Sequence, residues 1–380
     1  MSCETRGRTI DLARELSHVH PSPLNLEPSP YRLIAQLLDR GRPNAQTEGF
    51  FSPTWRNVPG RQRLCIRDDR EDMSTAPSAR FSFARSGVPQ NIGHRGYKAL
   101  YPENTLLAMR EAIRAGASAI ETDIHLSKDG TVVICHDPSV DRVFDGEGLV
   151  AAKTDEELRR LRTKKAPHEG MPTLRDVLKM VTSEKEYEDV WLLLDTKMDN
   201  PKSVIEKIGD TLKSVNPSMT YWSSRILLGI WHPKFLPACA THLPELPITN
   251  ISLTLSITNK YFPLHHPQIS AYNILLPALS GLAGQKFVRD AQDAGKSVCV
   301  WTVNDEKWMR WARKLGVDGV ITDDVAQFKQ IEGEDEKESD GVLMGPEEWK
   351  WKAWGKVKFW EYFAWGFGYY RLWQFRDRGV

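Results

Sequence analysis

The sequence predicts an α/β fold: a (β/α)8, TIM-type barrel over residues 89–331, with a small insertion after its second strand. Three observations point to it. Apolar, strand-like runs recur eight times, near residues 91–95, 118–124, 190–195, 225–231, 249–255, 271–276, 297–303 and 318–322. Helical patterns with capping signals fill several gaps between them, and alternating β and α segments are the mark of a parallel sheet. Residues able to do chemistry sit at the C-terminal ends of the runs, where barrels of this kind carry their active sites.

Taken in order, residues 1–88 are rich in Pro, Arg and Ser. Apart from an amphipathic stretch at 31–40 their periodicity is poor, so a mostly disordered extension is expected. The first run ends in His94, Arg95 and Gly96. Asn104 or Thr105 can cap a helix that carries Leu106, Met109 and Ile113 on one face. Gly116 stands where a helix C-terminus places a glycine. The second run holds Glu121 and Asp123. Lys128, Asp129 and Gly130 read as a hairpin turn, and 131–135 returns as a β-rich run to His136 and Asp137. The insertion is expected over about 125–170. Thr173 with Asp176 forms a capping-box pattern ahead of Val177, Leu178 and Val181. Pro201 fits a first helical turn, with Ile205, Ile208 and Leu212 on one face. Phe287, Ala291 and Ala294 precede Gly295, and Trp308, Trp311 and Leu315 precede Gly316, two helices closing on glycine. An acidic linker at 332–340 leads to an aromatic and basic tail over 341–380.

The chemistry is concentrated in residues 91–138. Side chains alternate along a strand, so Glu121 and Asp123 point the same way. Two carboxylates so close repel each other unless a cation lies between them, and Mg²⁺ or Ca²⁺ prefers oxygen ligands. His94 and His136 are candidate proton carriers, and Arg95 is a fixed cation. That set suits metal-assisted phosphate-ester cleavage. Singly, each residue has a bland reading: a lone histidine is more often a satisfied core or surface group, and a carboxylate pair more often a solvated face. Together the bland readings require several independent coincidences. On a closed barrel, Asp195 at the end of the third run completes a three-carboxylate metal site. Lys197 shares its face and is a candidate phosphate ligand; its alternative is a salt bridge with the same carboxylates. His125, His232, His265 and His266 are weaker candidates and stay outside the set.

The strings HRG (94–96), PENT (102–105), GA-x-x-IE-x-D (116–123), KDG (128–130) and HD (136–137), in this order and spacing, resemble the glycerophosphodiester phosphodiesterase family. Through LLLDTK (192–197) and the aromatic tail, the chain resembles the fungal phosphatidylglycerol phospholipase C branch more narrowly. The resemblance runs from about Pro89 to Gln330. It implies the same barrel with an inserted subdomain, and a divalent metal. It also implies an attacking oxygen that is a glycerol hydroxyl, giving a cyclic phosphate that water opens. It places Trp301 of WTVN (301–304) on the wall of the substrate pocket; alone, a Trp ending an apolar strand is more often core. Asp195 departs from the resemblance, which implies Glu there.

A formal charge of +1 gives no bulk attraction to nucleic acid. The five cysteines show no zinc or disulfide spacing, and Cys135 and Cys299 read as small core residues. A reducing compartment and no secretory signal are expected. In the tail, thirteen aromatics over 349–375 alternate with Lys350, Lys352, Lys356, Lys358 and Arg371. Its longest uncharged run is far short of the roughly 20 residues of a spanning helix. An interfacial anchor on a membrane is therefore expected, with an intracellular, peripheral-membrane enzyme as the consequence; the alternative is an aromatic helix packed on the barrel. The expected substrate is a glycerophospholipid, phosphatidylglycerol by resemblance, cleaved in phospholipase C fashion. The alternatives are soluble, deacylated glycerophosphodiesters, or an inactive barrel that binds lipid.

Overall fold

In a computed structural model, which describes residues 88–332 and Gly366, eight parallel strands close into a barrel. They are β1 (Gln90–His94), β2 (Ala119–Leu126), β4 (Trp191–Thr196), β5 (Ile226–Ile230), β6 (Ile248–Ser252), β7 (Ile269–Leu275), β8 (Ser297–Trp301) and β9 (Gly319–Thr322). The short β3 (Val132–Ile134) is the antiparallel return of the hairpin. The order is β1-β9-β8-β7-β6-β5-β4-β2-β3, and a β1–β2 pairing closes the ring.

The two faces of each strand go to two cores, as the period of two requires. Ile92, Ala119, Leu193, Leu227, Ile251, Ala271, Cys299 and Ile321, one from each parallel strand, fill the lumen. The opposite faces meet the helices in a larger apolar layer that includes Ile120, Leu192, Ile226 and Val298. The lumen is thus a packed plug. Two residues further along several strands, the same inward face becomes polar: His94 follows Ile92, Glu121 follows Ala119, Asp195 follows Leu193 and Asp323 follows Ile321.

Local signals were obeyed with small shifts. Thr105, not Asn104, caps the helix Leu106–Arg114, accepting from Ala108 N at 3.1 Å. Thr173 and Asp176 make the expected capping box on Leu174–Ser183, and Glu306–Leu315 closes on Gly316 in the left-handed region. Pro201 lies ahead of its helix, which starts at Val204; its carbonyl accepts from Val204 N in the preceding turn. Glu332 ends the helix Val325–Glu332 and does not start the linker. Strand β2 runs past Asp123 to Leu126 because His125 and Leu126 pair with Val133 and Val132 of the hairpin. The insertion packs its own core on Cys135, Val140, Phe144, Leu158 and Met171. Burial pushes the Cys135 thiol up to about 12, so it is an inert core group. Residues 1–87, 333–340 and the tail, Gly366 apart, lie outside the described residues. Among the described residues no helix is long and apolar enough to cross a membrane.

Gly96 lets the turn after β1 lie against the helix Leu106–Arg114. Its φ is +84°, and a Cβ there would stand 2.6 Å from the Ala108 carbonyl carbon. Gly96→Ala is expected to cost roughly 2 kcal/mol or more, from left-handed strain plus overpacking. Urea unfolding checks this: an unchanged midpoint would show that the turn does not need glycine.

Candidate active site

Strand register brings the acids together. His94 is the partner of Glu121 across β1 and β2, and Asp123 is the partner of Asp195 across β2 and β4. Directly opposed carboxylates on neighbouring strands destabilise a sheet. Here the Lys197 ammonium stands 2.6 Å from Asp123 Oδ1 and 2.5 Å from Asp195 Oδ2. Arg95 adds a second cation, its Nε 3.2 Å from Asp123 Oδ2. Arg95 and Asn104 both adopt left-handed backbone, with φ of 58°. Arg95 N donates to both the backbone oxygen and Oε2 of Glu121, at 2.9 and 3.1 Å. Asn104 donates to Asp123 Oδ2 at 2.7 Å and accepts from Thr122 Oγ1 at 2.9 Å. Its place in the motif is therefore to hold a carboxylate.

Like charges about 4 Å apart cost about 4 kcal/mol at an effective dielectric of about 20, so three buried carboxylates do not ionise side by side unaided. Lys197 and Arg95 offset two of the three. Burial works against ionised Asp123, but these two cations outweigh it and hold the carboxyl well below the usual range. Glu121 is left with the excess. Burial, then the charges of Asp123 and Asp195, push it well above the usual carboxylate range. Lys197 is raised, because its carboxylate partners overcome burial.

One ligand oxygen from each of Glu121, Asp123 and Asp195 lies within 4.8 Å of the others, and all three residues are buried. An all-oxygen cluster of three buried carboxylates, with only two cations beside it, fits a hard divalent cation such as Mg²⁺ or Ca²⁺. Asp195, shorter than the Glu that the family resemblance implies, reaches the cluster.

Each histidine is held by an aspartate. His94 Nδ1 lies 2.5 Å from Asp323 Oδ1 and its Nε2 4.0 Å from Glu121 Oε2. His136 Nδ1 lies 2.7 Å from Asp137 Oδ1. An ionised aspartate at Nδ1 requires the proton there, which leaves Nε2 free to exchange a proton. Burial lowers the pKa of both imidazoles, and Arg95 adds to this; the aspartates oppose it in part. Asp323, with His94 and Lys98 outweighing burial, is depressed to about 2.

His94, Arg95, Glu121, Asp123, His136, Asp195, Lys197 and Trp301 all line one cavity of about 320 Å³ at the C-terminal mouth of the barrel. Every residue in the proposed set is thus brought together. The lining also has an apolar part: Trp231, Ile251, Leu253, Trp301 and Ile321. Trp231 and Trp301 meet edge to face at 5.4 Å, and Trp231 Nε1 donates to Asp195 Oδ1 at 2.7 Å. Lys197 makes the salt bridge that was its alternative reading, and lines the cavity as well. The excluded histidines stay outside the cavity lining. His125 is buried, bound to the Cys135 carbonyl and Asp199, and His232 caps a short helix through Lys234 N. Sequence reasoning missed Asn104, Asp137, Asp323 and Trp231 as partners. Each carried a signal, since all four fall inside or directly beside a motif or strand end.

The glycerophosphoryl diester phosphodiesterase family profile matches residues 94–327. A glycerophosphodiester phosphodiesterase of Bacillus altitudinis is 28% identical over 244 residues, covering 61% of this chain and 93% of the relative. Among solved structures, an Oleispira antarctica phosphodiesterase, in complex with the product sn-glycerol-3-phosphate, is 25% identical with a TM-score of 0.56. That match covers 67% of this chain and 98% of the other. A Thermotoga maritima glycerophosphodiester phosphodiesterase is also 25% identical, TM-score 0.51, covering 64% and 98%.

Two outcomes are expected. Titrating the protein with Mg²⁺ or Ca²⁺ should raise its thermal midpoint, since a ligand bound only by the folded state stabilises it. Asp195→Asn should blunt that rise; an equal rise in wild type and variant would place the cation elsewhere. Because Asp323 is depressed in the folded state, it contributes stability that is complete above its unfolded pKa of about 4. That contribution is lost as pH falls through about 2. The gap in thermal midpoint between wild type and Asp323→Asn should therefore shrink from pH 5 toward pH ~2.

Proposed function

The chain belongs to the glycerophosphoryl diester phosphodiesterase family, and from this we propose that it hydrolyses glycerophosphodiesters to glycerol 3-phosphate and an alcohol. The convergence of two aspartate-held histidines on a carboxylate cluster in one cavity carries this reading. At about 320 Å³ the cavity is at the low end of small-ligand pockets.

Glu121, Asp123 and Asp195 would hold the divalent metal, which when bound supplies a Lewis-acid contact to phosphate oxygen. Arg95 and Lys197 are placed to offset negative charge on the phosphoryl group as it builds. One histidine takes a proton through Nε2 from the attacking oxygen, and the other gives one to the departing alkoxide. Both imidazoles favour the neutral form in the free site, and an anionic diester beside them restores the protonated form that the acid needs. Trp301 and Trp231 offer an apolar surface to the substrate.

A second reading rests on the apolar part of the cavity lining and on the aromatic, basic tail in the sequence. Here the enzyme is a peripheral membrane protein that cleaves phosphatidylglycerol to diacylglycerol and glycerol phosphate. The acyl chains remain in the membrane and only the headgroup enters.

Product analysis separates the two. Purified protein with Mg²⁺ or Ca²⁺ is incubated with deacylated glycerophosphodiesters and with phospholipid vesicles. Glycerol 3-phosphate from the soluble substrates supports the main reading, and diacylglycerol from vesicles the second. His94→Ala and His136→Ala should each lower kcat by about 10²–10⁴ with little change in KM. EDTA should abolish turnover. Wild-type turnover in both variants would sink the acid–base assignment.

A further inference from the structure

The two histidines reach the cavity from different bodies of the chain. His94 ends a barrel strand, whereas His136 sits on the insertion, after the short β3. Backbone pairing fixes the chain as far as Cys135, whose N donates to Asp123 O at 3.1 Å, but His136 lies beyond β3, on an insertion with a small core of its own. A chain of alternating charges spans the gap. Arg95 Nη1 donates to Glu103 Oε1 at 2.8 Å. Arg142, from the insertion, grips the same Glu103 with both ends of its fork, Nη2 to Oε1 at 2.7 Å and Nη1 to Oε2 at 3.0 Å. Arg142 Nε then donates to Asp137 Oδ2 at 2.5 Å, and Asp137 Oδ1 holds His136 Nδ1.

We propose that Arg142 is a positioning residue, locking the insertion to the barrel rim so that His136 presents Nε2 to the phosphodiester. Arg142 is not among the cavity-lining residues, so it reaches the reaction only through Asp137 and Glu103. Its side chain is half exposed, and an exposed ion pair by itself contributes little to stability. Geometry is what it supplies. The planar guanidinium serves two carboxylates at fixed angles, which a lysine ammonium does not reproduce. Without it, Asp137 loses its own anchor and its hold on His136 Nδ1 loosens, and Glu103 is left to Arg95 alone.

This inference rests on the hydrolase reading, and its test has one arm that does not. In ¹⁵N-resolved imidazole spectra, His136, assigned by its loss in His136→Gln, should show one tautomer protonated at Nδ1. In Arg142→Met the same signal should move toward a tautomer mixture while the far-ultraviolet dichroism stays unchanged. In the kinetic arm, Arg142→Met should lower kcat on a glycerophosphodiester by about 10–100-fold with KM held within about twofold. Arg142→Lys should fall in between. In a His136→Ala background, Arg142→Met should cost nothing further, because the two substitutions remove one unit. An unmoved His136 signal overturns the proposal, as does an equal loss in both backgrounds. A wild type without hydrolase activity but with the expected tautomer would instead overturn the functional reading and leave the positioning role standing.

Discussion

Opposed carboxylates across β2 and β4 are the constraint on which the site depends. Asp123 and Asp195 face each other because parallel pairing of these strands fixes their register, and Glu121 is on the same inward face. No arrangement of apolar neighbours makes that stable. Lys197 and Arg95 do, and each is delivered by the backbone close to the acids: Lys197 just after the end of β4, Arg95 in a left-handed turn just past β1. Two cations against three acids leave a deficit of positive charge, and burial with the charges of Asp123 and Asp195 pushes Glu121 well above the usual carboxylate range. The same deficit makes the cluster receptive to a divalent ion. Local destabilisation and capacity for a ligand are here one property.

The barrel makes that destabilisation tolerable. Below the acids the lumen is filled by one apolar side chain from every parallel strand, and outside it the strands meet a continuous apolar layer. The polar layer is a single step of the two-residue period above the plug. The buried carboxylates gather at the rim, where Gly96, Arg95 and Asn104 supply the left-handed backbone that strands do not. Trp231 and Trp301 add aromatic surface to the same cavity, Trp231 directly beside Asp195, so a substrate meets both charge and aromatic surface.

The insertion has a different logic. It adds one histidine to a site whose other members come from the barrel, and it ties that histidine to the rim by ion pairs between charged side chains. Such pairs have directional geometry and little net stabilisation. They suit a task in which orientation matters more than energy.

Periodicity, capping residues and the spacing of HRG, PENT, IE-x-D and HD carried the eight parallel strands, several helix ends and the grouping of the main site residues, because those features act over a few positions. Alternation along β2 alone puts Glu121 and Asp123 on one face. Closer detail was not legible: that Asn104 leaves capping to Thr105 and binds Asp123, that β2 runs on into the hairpin, or that His125 turns to Asp199. Each of these depends on a partner beyond the next helical turn: Val132 and Val133 for β2, Asp123 for Asn104, and Cys135 and Asp199 for His125. The pairing of His94 with Asp323 spans 229 residues and exists only because β1 and β9 close the ring. The sequence by itself determined which groups stand at strand ends and which way they face. Ring closure decided which of them meet, since distance between strands, and with it every charge interaction in the site, is a property of the closed sheet.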